Sequence, residues 1–208
     1  MNVMPKQLGN PGTPGSGRFH RFIVPTVLAC FVLVAELGGE SARLWLRYQR
    51  DAVAAGELWR LMTGHLVHLG PSHMAMNIAA LAVLAILFAH LVRPSDWLGI
   101  FVLSALSIDG GLFFVSTTIT WYVGLSGVLH GFWAAACIWA WQQKRRQAAA
   151  LSALIVIKLA YEAWFGPVPL TGEVAAGTVV VVAHTYGAAG GVLWATATLA
   201  IRPLRRSI

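Results

Sequence analysis

Residues 74–92 read MAMNIAALAVLAILFAHLV, nineteen residues without a charged side chain. At about 1.5 Å per helical residue such a run covers the roughly 30 Å hydrocarbon core of a bilayer. Asn77 and His90 are its polar interruptions, and a polar group inside such a run is costly unless it is used. Five further apolar segments share the chain: about Phe22 to Leu37, Trp97 to Val115, Ser126 to Trp141, Ala148 to Phe165 and Thr178 to Ile201. Several approach the lower limit of about 17 residues for a spanning helix, so their ends are expected to reach into flanking aromatic and glycine residues.

Composition agrees with the pattern. Of 208 residues, 57% are hydrophobic and 11% charged, and the mean hydropathy is +0.67. These values describe a polytopic membrane protein rather than a soluble domain with a large core. The net charge of +7 does not indicate nucleic acid, because the basic residues lie between apolar runs instead of forming one patch. Cys30 and Cys137 fall inside apolar segments without metal-ligand spacing and read as packed thiols.

Lysine and arginine then orient the chain. Lys6, Arg18, Arg21, Arg93, Lys144, Arg145, Arg146, Arg202, Arg205 and Arg206 fall on one side, and Arg43, Arg47, Arg50 and Arg60 on the other. The richer side is cytoplasmic by the positive-inside rule, which puts both termini there. The expected organisation is a Gly/Pro-rich cytoplasmic leader over 1–21, a membrane domain over 22–201 and a basic tail over 202–208. The first segment lacks a clear cleavage site and reads as an uncleaved helix. The connection from Gly38 to His73 mixes Trp45, Leu46, Tyr48, Leu58 and Trp59 with charges, which suits the outer interface.

Helix parity gives the polar residues a common level. The second, fourth and sixth segments run in the same direction, so their N-terminal ends share one face. His73 and Asn77 open the second, Ser126 opens the fourth, and His184 lies about seven residues into the sixth, all roughly 5 to 10 Å below the outer boundary. Alone, a serine in a membrane helix bonds its own backbone or aids packing, and a histidine can simply pack. Together they point to nucleophilic chemistry. A hydroxyl needs a base to take its proton, and neutral imidazole supplies one near physiological pH.

Gly127 and Gly131, and likewise Gly187 and Gly191, are four apart, a spacing that lets two helix backbones approach. His73, Asn77 and the free N–H groups at the start of the fourth helix are candidate donors to an oxyanion. Asp109 falls in the outer turn of the third segment and Glu162 pairs with Lys158 at i, i+4, so no carboxylate matches the pair and a dyad is predicted. His130, one turn after Ser126, could tune the site, contact substrate or only pack. His65 and His68 read as interfacial, and His90 as an inner-boundary residue.

At these residues the chain resembles the rhomboid family of intramembrane serine proteases. The resemblance rests on Trp59-Arg60, the His-x-x-x-Asn of His73 and Asn77, the Gly-x-Ser-Gly of Gly124 to Gly127, and the Ala-His-x-x-Gly-x-x-x-Gly of Ala183 to Gly191. It implies an all-α fold of six transmembrane helices, with an interfacial first outer loop and a water-filled cavity open to the outer face. It assigns Ser126 as nucleophile, His184 as base, and His73 and Asn77 to the oxyanion hole; Gly124 of the serine motif, like His130, is a candidate for site tuning or substrate contact. Thr63 to Gly70 and the run Gly-Leu-Ser-Gly-Val-Leu-His-Gly look most like the rhombosortase branch.

That likeness implies a bacterial inner-membrane enzyme acting on secreted proteins whose C-terminus carries Gly-Gly, a hydrophobic helix and a basic tail. Hydrolysis and transfer to an amine acceptor both stay open. Besides the lipid bilayer and this substrate, no nucleic-acid partner, cofactor or metal is expected. The competing readings are a rhomboid-like pseudoprotease that binds membrane helices without cutting them, and a metal or haem site built from His65, His68, His73, His130 and His184.

Overall fold

The computed structural model describes residues 20–169, 171–172 and 177–201. A short 3-10 turn, His20–Phe22, leads into α1 (Ile23–Leu37), then α2 (Gly39–Leu46), β1 (Tyr48–Gln49), α3 (Arg50–Ala54) and α4 (Arg60–Thr63). The long helices α5 (Pro71–Phe88) and α6 (Pro94–Phe114) follow. After them come β2 (Trp121–Tyr122), α7 (Ser126–Ala140), α8 (Arg145–Phe165) and α9 (Val182–Ile201). Apart from His20 and Arg21, the expected leader and basic tail lie outside the described residues.

Each of the six apolar segments contains a long helix, with shifted ends. The second begins three residues before Met74 and the third three before Trp97, because Pro71 and Pro94 occupy the first helical turn, where a missing N–H costs nothing. The second also stops at Phe88, short of Val92. The sixth starts at Val182 rather than Thr178.

Among the described residues, four helices are long and apolar enough to cross a membrane: His20–Leu37, Pro71–Phe88, Pro94–Phe114 and Arg145–Phe165. The apolar α7 has 15 residues, about 22 Å of helix. In α9, three glycines and His184 dilute the hydrophobicity. Side chains such as Val34, Ile86, Val156 and Ile157 are more than 60% exposed. Such an apolar exterior is costly in water and ordinary against lipid; the chain is a multi-pass membrane protein.

The core lies where α7 meets α5, α6, α8 and α9, around Trp97, Ile100, Ile108, Leu125 and Val128, each at most 1% exposed. Contact between α7 and α9 is close because the facing positions lack side chains. A Cβ at Gly187 would collide with the Gly127 carbonyl, and one at Gly191 with that of Gly131. A Cβ at Gly190 would come within 2.6 Å of Ser104 Cα on α6. The predicted use of Gly127, Gly131, Gly187 and Gly191 in helix approach is what the backbone does.

The Gly38–His73 connection is an ordered unit. The strands pair antiparallel, Tyr48 opposite Tyr122 and Gln49 opposite Trp121. Arg50 donates to the carbonyls of Leu112 and Phe113 at 2.6 Å each, at the C-terminal end of α6. Arg60, 7% exposed, pairs with Glu57 at 2.6 Å and donates to the Leu44 and Arg47 carbonyls at 3.0 and 2.9 Å. The connection is thereby fastened to the turn that precedes Ser126.

Candidate active site

That turn is tightly specified. Gly124 takes φ +121°, a conformation that suits glycine, and a Cβ there would lie 3.0 Å from His73 Cε1. The Gly124 N–H donates to the Gly64 carbonyl at 3.1 Å, and the Tyr122 hydroxyl donates to the Gly124 carbonyl at 2.7 Å. Burial pushes the Tyr122 hydroxyl up from its ordinary value, which keeps it a donor. Ser126 then opens α7, half-buried, with its hydroxyl beside α9.

His184 Nε2 lies 3.0 Å from Ser126 Oγ. Its other nitrogen, Nδ1, lies 2.8 Å from Glu162 Oε2, and Glu162 Oε1 accepts from Lys158 Nζ at 2.6 Å. The carboxylate can only accept, so His184 carries its proton on Nδ1 and presents the Nε2 lone pair to the serine hydroxyl. An imidazole in this tautomer can receive a hydroxyl proton.

The expectation that no carboxylate matches the serine and histidine is corrected here. Glu162 does pair with Lys158, as the i, i+4 spacing indicates, but its second oxygen reaches His184 on the neighbouring α9. The i, i+4 rule describes contacts along one helix, and this one crosses between two. A signal was available: a glutamate within an apolar run, even three residues from its end, is a functional candidate by its cost alone.

His73 and His130 flank the pair. Leu69 N–H donates to His73 Nδ1 at 3.4 Å, which leaves Nε2–H as the donor of a neutral ring. His130 donates from Nδ1 to the Ser126 carbonyl at 2.7 Å and stacks on His184 with ring centroids 4.2 Å apart; its buried Nε2 has no partner. Asn77 is less convergent than expected. Its amide donates to the His73 carbonyl at 2.9 Å, one turn back on its own helix.

The interfacial reading of His65 and His68 is overturned. His68 is 1% exposed; its Nε2 accepts from the Leu125 N–H at 3.4 Å and its ring meets His73 edge-on, 5.0 Å between centroids. Burial, with His73 adding to it, pushes the His68 imidazole down to about 3, consistent with a neutral acceptor that supports the serine turn. His65 is fully buried with Asp109, at 3.4 Å. Both residues sit in a sequence of mixed polarity, and only the tertiary packing covers them.

Two cavities meet at Ser126. One, of about 380 Å³, lies between α5 and α8 and carries His73, Ser126, His130, Lys158, Glu162 and His184 at its polar end, with apolar walls below. The other, about 280 Å³, reaches Ser126 and His73 from the side of β2 and Thr118 to Val123. Ligand atoms of His130, Glu162 and His184 lie within 4.8 Å of one another, so three donors are close enough for a metal. Lys158 opposes that use, since its ammonium already occupies Glu162 and would repel a cation. The five-histidine metal site is not assembled: His65 turns to Asp109 and His68 to Leu125.

The rhomboid-domain family model matches residues 55–201. This chain belongs to the rhomboid family. No curated protein matches it. Rhomboids are generally intramembrane serine proteases acting on membrane proteins within the bilayer, and the matched region contains Ser126, His184, His73, Asn77, His130 and Glu162. In this rhomboid the Gly-x-Ser-Gly turn, the α9 histidine and the α5 histidine meet at one cavity end, and a glutamate from α8 joins them.

Proposed function

We propose that the chain is a serine endopeptidase that cuts a membrane-anchored protein near the outer face of the bacterial inner membrane. The observation that carries this reading is the 3.0 Å approach of His184 Nε2 to Ser126 Oγ at the end of a cavity open between two helices. In this reading all six long helices cross the membrane and both termini are cytoplasmic, with Trp45 and Trp59 of the first connection resting in the outer interface. The substrate is a secreted protein ending in Gly-Gly, an apolar helix and a basic tail, as in the rhombosortase branch.

Ser126 Oγ attacks the scissile carbonyl carbon while its proton passes to His184 Nε2. The oxygen becomes an oxyanion, stabilised in this reading by His73 Nε2–H and by backbone N–H groups at the start of α7. Collapse breaks the C–N bond, and the leaving amine takes the proton from His184, leaving an acyl-Ser126 ester. Water, deprotonated by His184, releases the acid and restores the serine. An amine in the same position would give transfer instead.

The test is cleavage of a Gly-Gly tail substrate by purified protein in detergent, with fluorophosphonate labelling in parallel. Native protein is expected to cleave and label, and Ser126→Ala to do neither. A folded native chain that does not label would instead be a rhomboid-like pseudoprotease that binds membrane helices.

A further inference from the structure

We infer that Glu162 is a positioning residue for His184, and that Lys158 decides which atom Glu162 presents to the imidazole. The inference rests on the Ser126–His184 reading above and adds a third and a fourth side chain to it. Glu162 is 3% exposed, and both of its oxygens are committed: Oε2 to His184 Nδ1 at 2.8 Å and Oε1 to Lys158 Nζ at 2.6 Å. A buried carboxylate is stable only when paired and hydrogen-bonded, and both conditions are met within this chain.

Three consequences follow from the atoms. Accepting from Nδ1–H holds the proton on that nitrogen and frees Nε2 for the serine. The contact fixes the ring about its long axis, so that Nε2 points at Ser126 rather than along the cavity. When the serine proton arrives on Nε2, the carboxylate stabilises the resulting imidazolium without itself taking a proton. Lys158 offsets the carboxylate charge in the resting state. Because an ammonium only donates, it also requires an oxygen to face it. His130 lies against one face of the ring, with centroids 4.2 Å apart, so the imidazole is held both in its plane and from one face.

The role of Lys158 permits a sharp test with Glu162→Gln. In that variant the carboxamide oxygen must face Lys158, and its NH₂ therefore faces His184 Nδ1. The ring is driven to the tautomer with hydrogen on Nε2, which cannot accept the serine proton. Fluorophosphonate labelling is expected to slow by about 100-fold or more, in line with tautomer loss in serine triads. Replacing the ammonium as well, in Glu162→Gln/Lys158→Met, lets the amide turn its oxygen to Nδ1–H, and labelling should recover about tenfold over the single variant. A purely structural role would give no recovery, since the second substitution only removes another polar contact.

The tautomer is read directly from the ¹⁵N NMR shifts of His184, which need no turnover: Nδ1-protonated in the native chain, Nε2-protonated in Glu162→Gln. Native protein that does not label removes the Ser126–His184 reading. Native labelling matched by Glu162→Gln, or an unchanged tautomer, removes this inference alone. Absence of recovery in the double variant removes the part given to Lys158. If Glu162→Gln does not fold, Glu162→Asp keeps the charge beside Lys158 while shortening the reach to His184. It is expected to label about tenfold more slowly, and a native rate would overturn the proposal.

Discussion

Among the described residues, two histidine–carboxylate pairs are buried, and their surroundings separate them. His184 and Glu162 sit 2.8 Å apart at the end of a cavity, with Ser126 on the free imidazole nitrogen and Lys158 on the free carboxylate oxygen. His65 and Asp109 sit 3.4 Å apart, 0% and 2% exposed, with Phe101 and Tyr122 against the ring. There the remaining atoms, His65 Nδ1 and Asp109 Oδ1, have no hydrogen-bond partner. The same two functional groups thus join a serine and a lysine at a cavity end in one place and form a buried tie between the first connection and α6 in the other. What differs is a serine hydroxyl, a charge partner and access.

The comparison breaks most decisively at its histidines. His184→Ala is expected to abolish labelling of Ser126, a loss on the order of 10⁶-fold in rate as for a serine enzyme deprived of its base. Its thermal midpoint should stay close to native, and residual labelling within tenfold of native would dissolve the distinction. In the proposed mechanism His73→Ala takes away an oxyanion donor and keeps the base, so turnover of a Gly-Gly tail substrate should fall about 10²–10³-fold. An unaffected rate would leave oxyanion stabilisation to the backbone N–H groups alone.

Asp109→Leu tests the other side. Leaving His65 without a partner should cost about 1–3 kcal/mol of stability, seen as a lower midpoint in detergent, while the folded fraction labels within about twofold of native. A loss of labelling comparable to that of His73→Ala would make the second pair part of the chemistry. The smallest effect belongs to His130→Phe, which keeps a flat ring against His184 and loses the hydrogen bond to the Ser126 carbonyl. Labelling should change by no more than about fivefold, and a larger fall would give His130 a direct role.

Much of this arrangement is legible in the chain. The four glycines at intervals of four identify the closest helix contact, and parity of the apolar runs puts Ser126, His73 and His184 at one level. Helix ends are less legible, because Pro71 and Pro94 begin their helices inside polar flanks that hydrophobicity does not register. Level and amide chemistry offer Asn77 as an oxyanion donor, and its amide turns instead to the carbonyl one turn back. His65 and His68 lie in a polar stretch whose burial depends on strands and helices distant in sequence.

The sequence by itself determined a polytopic helical membrane protein, the helices that touch through glycine, and a serine and a histidine able to meet. These follow from local patterns of hydrophobicity and residue size, which a chain displays without being folded. Only the tertiary structure decided that Glu162 joins them and that His65 does not. Hydrogen bonds depend on distances of a few tenths of an ångström between side chains on different helices. Such distances are set by how the helices rotate and pack, and spacing along the chain does not contain them.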